Sequence, residues 1–282
     1  MSWLLATLLA TGTAQAGAWT RTQGSFYVKA GEDMYAASEY VAPDYETPEG
    51  QSFLGAQTVL YGEVGLIKQH PVMLVAQVPL AWNTLYLAAP GGDNPRGRPR
   101  ASTIRMADVT VSVQTALLPK GKPLATAVSV KVPGYANDGV GKDFGDYQDY
   151  FPRIGDGQID VTAWVLGGAS KGKVWSDAAI GYRFRTEAFM GWENPNLNFL
   201  DTLVISDTTG YTAGKLIAMV RFELMKALGT DLYTREGMNI GPLVLYDLND
   251  KGLAIEGRLA FDVWANNATR GMGGGIGLSM RK

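Results

Sequence analysis

Asp108-Val109-Thr110-Val111-Ser112-Val113-Gln114 reads polar, apolar, polar, apolar without a break, and the tight turn Pro119-Lys120-Gly121-Lys122 separates it from a second such stretch, Leu124 to Val132. In the second stretch Leu124, Val128, Val130 and Val132 share one parity, and Ala125, Ala127, Ser129 and Lys131 the other. Successive residues of an extended strand point to opposite faces, so each stretch has one apolar and one polar face. Two such strands joined by a short polar turn form an antiparallel hairpin. The same parity recurs along the chain. Ile159, Val161, Ala163 and Val165 oppose Gln158, Asp160, Thr162 and Trp164. Val174, Ala178, Ile180, Tyr182 and Phe184 oppose Asp177, Gly181, Arg183 and Arg185, and Leu253, Ile255, Leu259, Phe261 and Val263 oppose Glu256, Arg258 and Asp262.

The connections alternate in length. Long polar stretches run from Asp33 to Ser52, Asn83 to Thr103 and Pro133 to Gly157. Between them lie tight turns at Lys68-Gln69-His70-Pro71, at Pro119 to Lys122, at Ser170-Lys171-Gly172-Lys173 and, later, from Asp247 to Gly252. Antiparallel barrels that cross the outer membrane have this rhythm, with short periplasmic turns and longer loops outside. The expected fold is all-β: a transmembrane antiparallel barrel of about twelve strands with its N-terminus in the periplasm. Two segments alternate less cleanly, Asn198 to Ser206 and Gly237 to Tyr246, the latter interrupted by Pro242, which removes a ladder donor.

No run reaches the roughly 20 consecutive apolar residues a spanning helix needs, although 46% of the chain is apolar. A soluble lipocalin-like barrel, with apolar residues inside, closes with about eight strands, fewer than this chain supplies. Phe26, Trp82, Tyr182, Phe184 and Tyr246, on the apolar face near strand ends, suit the aromatic girdles of a membrane barrel. The absence of cysteine excludes disulfides and thiolate metal sites, and a net charge of −2 gives no reason to expect a nucleic-acid partner.

Met1 to Ala10 forms a short apolar core, and Ala14-Gln15-Ala16 has the form of a cleavage site, so residues 1–16 are expected to be an export signal and 17–282 the barrel. The terminal amine alone supplies positive charge ahead of that core.

On the polar faces, Lys131, Gln158, Asp160, Arg183 and Arg185 fall near the outer ends of three neighbouring strands and point inward, and Arg221, Glu223, Glu256, Arg258 and Asp262 continue this lining. Charges inside a barrel must be paired or hydrated. They are read either as an ion-pair network filling the lumen or as a constriction that selects solutes. Both signs are present, which favours a narrow or gated path over a wide pore. The loop from Pro133 to Gly157 carries Tyr147, Tyr150 and Phe151 among five aspartates and is expected to act as a lid over the mouth. Its aspartates lack EF-hand spacing, so no metal is expected, and no cofactor motif is present. An enzymatic role is not expected: the single histidine, His70, lies in a periplasmic turn with no nucleophile placed to match it. Gly273-Gly274-Gly275 has no following helix and is read as easing close strand approach.

Three blocks carry a family resemblance: Gly155-Asp156-Gly157-Gln158-Ile159-Asp160, Gly181-Tyr182-Arg183-Phe184-Arg185, and Gly241-Pro242-Leu243-Val244-Leu245-Tyr246. They resemble those of the bacterial outer-membrane "meta-pathway of phenol degradation" transporter-like proteins, a family similar to the long-chain fatty-acid transporter group. The resemblance implies passage of small hydrophobic or aromatic compounds across the outer membrane. The expected partners are outer-membrane lipids, such a solute, and the barrel-assembly machinery. The alternative function is a plugged, non-transporting barrel whose outer loops bind a surface partner.

The strand register makes a direct prediction. An arginine on the lipid face near mid-membrane costs about 2–4 kcal/mol, so Val111→Arg is expected to impair assembly and Ser112→Arg, on the polar face, to be tolerated; heat-modifiable gel mobility reads both.

Overall fold

The computed structural model describes residues 18–41, 52–67, 71–86, 100–118, 123–135, 155, 157–189, 199–230 and 234–282. The expected export signal, His70 and the lid aromatics Tyr147, Tyr150 and Phe151 lie outside the described residues.

Strands follow one another in chain order: β1 Phe26–Val41, β2 Ser52–Gly65, β3 Val72–Tyr86, β4 Arg100–Met106, β5 Asp108–Ala116, β6 Leu124–Pro133 and β7 Gln158–Lys171. They continue as β8 Val174–Phe189, β9 Thr202–Ala213, β10 Leu216–Ala227, β11 Glu236–Asp247, β12 Leu253–Asn266 and β13 Ala268–Arg281. Each pairs antiparallel with its neighbours, β1 pairs with β13, and β2 pairs with β3, so the sheet closes on itself. β4 lies along Leu80 to Tyr86 of β3 and β5 along Val72 to Gln77, so these two strands are the outer and inner parts of one stave. The barrel therefore has twelve staves, as the segment count indicates. Both weakly alternating segments are staves as well, β9 and β11; Pro242 sits opposite Val220.

Lipid and lumen faces follow the sequence parity. Val111 and Val113 are 43% and 51% exposed, whereas Ser112 and Gln114 between and beyond them are 3% and 2%. Trp82, Tyr182, Phe184 and Tyr246 stand outward, as expected of girdle residues.

Three expectations need correction. The stretch from Asp33 to Val41 is not loop but the outer half of β1, because its polar members belong to the lumen wall: Asp33 and Tyr35 are buried inside. Likewise Asn83 and Thr103 are strand residues facing inward, in β3 and β4. The long-outside rhythm also stops at the last hairpin, where Asn267 alone, at φ 51°, joins β12 to β13. Asparagine tolerates this left-handed conformation better than most residues.

The third correction concerns Ser112. Its Oγ lies 2.6 Å from Ser129 Oγ, and Ser129 in turn accepts the Trp164 indole N–H at 3.0 Å. The lumen is packed at this level, so arginine there has no room. Asn239 is the better polar-face position, since it faces inward directly across from Glu223 and Asp262. Asn239→Arg is expected to fold, and Val220→Arg, on the lipid face of β10, to lose about 2–4 kcal/mol. Equal gel mobility for the two variants after refolding would contradict the register.

Candidate functional site

Asp160 organises one wall of the lumen. It lies on β7 directly opposite Lys131 of β6 and Arg185 of β8, and its carboxylate takes Lys131 Nζ at 2.9 Å and Arg185 Nε at 3.4 Å. Lys131 Nζ also lies 3.4 Å from Asp108. Asp160 is buried, and flanking cations on both sides are what makes a buried carboxylate tolerable. The Arg185 guanidinium stacks 4.6 Å above the Phe199 ring. Gln158 is buried beside this group, its amide donating to the Thr186 carbonyl. Arg183 stands apart. Its polar contact among the described residues is with Met225 Sδ at 3.2 Å.

The opposite wall carries a second network, built across the glycines of β13. Arg258 of β12 grips Asp33 of β1 through Nε at 2.8 Å and Nη2 at 2.5 Å, and Lys29 pairs with Glu256 one step toward the periplasm. Both pairs skip a whole strand, and Gly275 and Gly277 of β13, opposite Arg258 and Glu256, leave the room for it. A Cβ on Gly275 would lie 1.9 Å from Asp33 Oδ1. One step outward, Tyr35 donates to Asp262 Oδ2 at 2.6 Å, and the Gly271 amide donates to the same oxygen at 3.1 Å. Arg221 and Glu223 pair along β10 at 3.2 Å.

The periplasmic end is crossed by the segment that precedes β1. The Gly24 amide donates to the Gly65 carbonyl of β2 and the Gly65 amide to the Ser25 carbonyl, and Arg21 pairs with Glu63 of β2 while lying 5.3 Å over the Tyr27 ring. At its far end the Ala18 amide donates to Asp177 of β8 at 2.8 Å, and Trp19 meets Trp175 edge-on at 6.4 Å. β8 stands six staves from β1 in either direction around the ring, so Ala18 to Ser25 forms a strap along a diameter of the lumen. Ala18 is buried against Trp164, Leu166, Ala179 and Val204.

Among the described residues, one strand edge in the barrel wall has no bonded neighbour. β6 pairs with β5 as far as Asp108 opposite Pro133, and the last backbone bond between them among the described residues is Gly134 N to Ala107 O at 3.1 Å. Above it β4 is bonded to β3 alone among the described residues. The break falls at Ala107, whose amide bonds Pro79 O at 2.8 Å; a proline in the neighbouring strand offers no donor of its own there. Ala107 and Asp108 both turn inward, so parity resets between β4 and β5. Outward around the gap stand Leu80, Trp82, Ile104 and Met106, all apolar and exposed, which places it within the lipid-facing band. Tyr135 covers it from inside. Packed on Ala81 and Ala107, it donates to Asp108 Oδ1 at 3.0 Å and accepts the Gly157 amide at 3.1 Å.

All ten lumen residues expected from sequence face inward, but they do not form one ring. Lys131, Asp160 and Arg185 meet on one wall, Glu256, Arg258 and Asp262 belong to the other, Arg221 and Glu223 pair along β10, and Arg183 and Gln158 take separate partners. Parity alone missed the members of the closing strand: Lys29, Asp33 and Tyr35 lie in or beside the stretch read as loop. It also missed Tyr135 and the strap, which lie outside alternating segments.

No family model matches the chain, and no curated protein matches it. Solved structures do. A crystal structure of an outer membrane channel from Pseudomonas putida F1 aligns over 96% of this chain and 98% of its own with a TM-score of 0.68 at 11% identity. The toluene transporter TbuX of Ralstonia pickettii aligns over 93% and 90% with a TM-score of 0.50 at 8% identity. This chain has the fold of these outer-membrane β-barrels. Identities this low carry the fold and no more.

The glycine column makes a clean comparison. Gly275→Ala is expected to displace Asp33 from Arg258 and to destabilise the barrel by about 1–3 kcal/mol, whereas Gly257→Ala, with open space around its Cβ, should leave the urea midpoint unchanged.

Proposed function

We propose that the barrel is a transporter for small hydrophobic or aromatic compounds, and that these leave the lumen sideways, through the break beside β4, rather than along the barrel axis. One observation carries this reading: the edge of β4, without a bonded partner among the described residues, is bordered by apolar, lipid-facing side chains, while the axial route is crossed by the strap from Ala18 to Ser25. A hydrophilic solute gains nothing from an exit into hydrocarbon. An apolar one gains roughly 25 cal/mol for each Å² it removes from water. The enclosed ion pairs, bridged within each wall, narrow the lumen in the same sense and make a wide aqueous pore a poor fit. The fold neighbours support the reading, since one is described as an outer membrane channel and the other as a toluene transporter.

Tyr135 is then the latch on the exit, and the loop from Pro133 to Gly157 its gate. The inward residues Lys131, Asp160 and Arg185 hold the wall beside the gap and present a polar rim to the incoming solute. The second reading, a plugged barrel that binds partners through its outer loops, draws on the same strap, because Ala18 is packed as tightly as a core residue.

Entry of the hydrophobic dye 1-N-phenylnaphthylamine into cells producing the barrel tests both. Wild-type barrel should speed entry over cells lacking it, Tyr135→Ala should speed it further, and deletion of residues 18–25 should raise ion conductance in planar bilayers without being needed for dye entry. A folded barrel that admits no dye would support the surface-binding reading, and dye entry only after the deletion would establish an axial path.

A further inference from the structure

Among the described residues, Arg183 is an inward guanidinium without a carboxylate, in a lumen whose other charges are mostly matched. The carboxylates near it are engaged elsewhere: Asp160 by Lys131 and Arg185, Asp201 by the Arg185 amide at 2.9 Å and by Tyr182, and Glu223 by Arg221. Directly across from it on β9 is Thr202, fully buried, whose Oγ has no hydrogen-bond partner. A buried hydroxyl left unbonded is costly, and a thioether is a weak partner for a guanidinium, so both groups are short of one acceptor. Cross-strand partners on one face have Cβ atoms roughly 5 Å apart, close enough for a single carboxylate to bond both.

One step toward the periplasm the surface turns apolar. Gly181 has no side chain, and the Trp164 indole lies over it, so close that a Cβ there would be 2.3 Å from the ring. Val204 and Met225 continue this floor, and Ala18 of the strap closes its lower end. One step outward are Arg185 and Asp160. Trp164 and Val204 are 2% and 0% exposed, already covered by Ala18 and by Met225, so a bound ring takes the place of the Met225 side chain, whose thioether it also replaces at Arg183.

We infer that Arg183 and Thr202 form a subsite for the carboxylate of a small aromatic acid, whose ring displaces Met225 to rest on Trp164 and Val204. This rests on the transport function proposed above and names its substrate class as amphipathic anions, not hydrocarbons alone. The planar guanidinium donates two parallel N–H bonds to a carboxylate, and the Thr202 hydroxyl donates a third.

The test is equilibrium dialysis of the refolded full chain in detergent against benzoate, its neutral isostere benzamide, and toluene. Benzoate should bind about tenfold or more tighter than benzamide. That ratio should fall to near one in R183M, persist in part in R183K and drop in T202V, each scored only where heat-modifiable mobility shows a folded barrel. A ratio near one in the wild type, or one unchanged in R183M or T202V, overturns the subsite. If toluene and benzamide bind while the ratio is one, the subsite alone fails; if none of the three binds, the transport reading fails and the subsite with it.

Discussion

Closure between the first and last strands is the constraint on which everything else depends. A bilayer core offers no water to an open strand edge, so each backbone N–H and C=O at that depth must find its partner in the sheet. β1 and β13 provide this along nearly their whole length, from Tyr27 opposite Arg281 to Val41 opposite Ala268. Closure fixes the ring at twelve staves, and the ring then fixes which side chains face one another across a small lumen. The glycines of β13 are part of the same solution. They let the seam close tightly while Asp33 and Lys29 reach over it to Arg258 and Glu256, so the seam is bonded by backbone and side chain together.

Against that background the half-paired strand β4 stands out. Every other stave has a bonded neighbour on both sides along most of its length, whereas β4 is bonded on one side among the described residues. An unpaired edge in an apolar band is costly. Here it lies beside Tyr135, whose hydroxyl joins Asp108 to the Gly157 amide with two ordinary hydrogen bonds.

The fold was legible because strand parity and membrane burial have the same period. Val111 against Ser112, or Val165 against Asp160, already states which face meets lipid. What parity does not carry is distance around the ring. Arg258 and Asp33 are far apart in sequence and sit on strands that are not even neighbours, so only closure brings them together. The same holds for Ala18 and Asp177. Asp33 to Val41 misled for a related reason: a polar run reads as loop until its polar residues are seen to have an interior to face. The break at Ala107 shifts parity by one residue, which in sequence is indistinguishable from an ordinary bulge.

Amide hydrogen exchange of the barrel in lipid nanodiscs tests the central claim most directly, because it reports strand edges residue by residue. The account predicts fast exchange at alternate amides from Ser102 to Met106 in β4, with protection at the same height in β2 and throughout the β1–β13 seam. Uniform protection across β4 would mean that the wall is sealed, and would contradict a lateral exit.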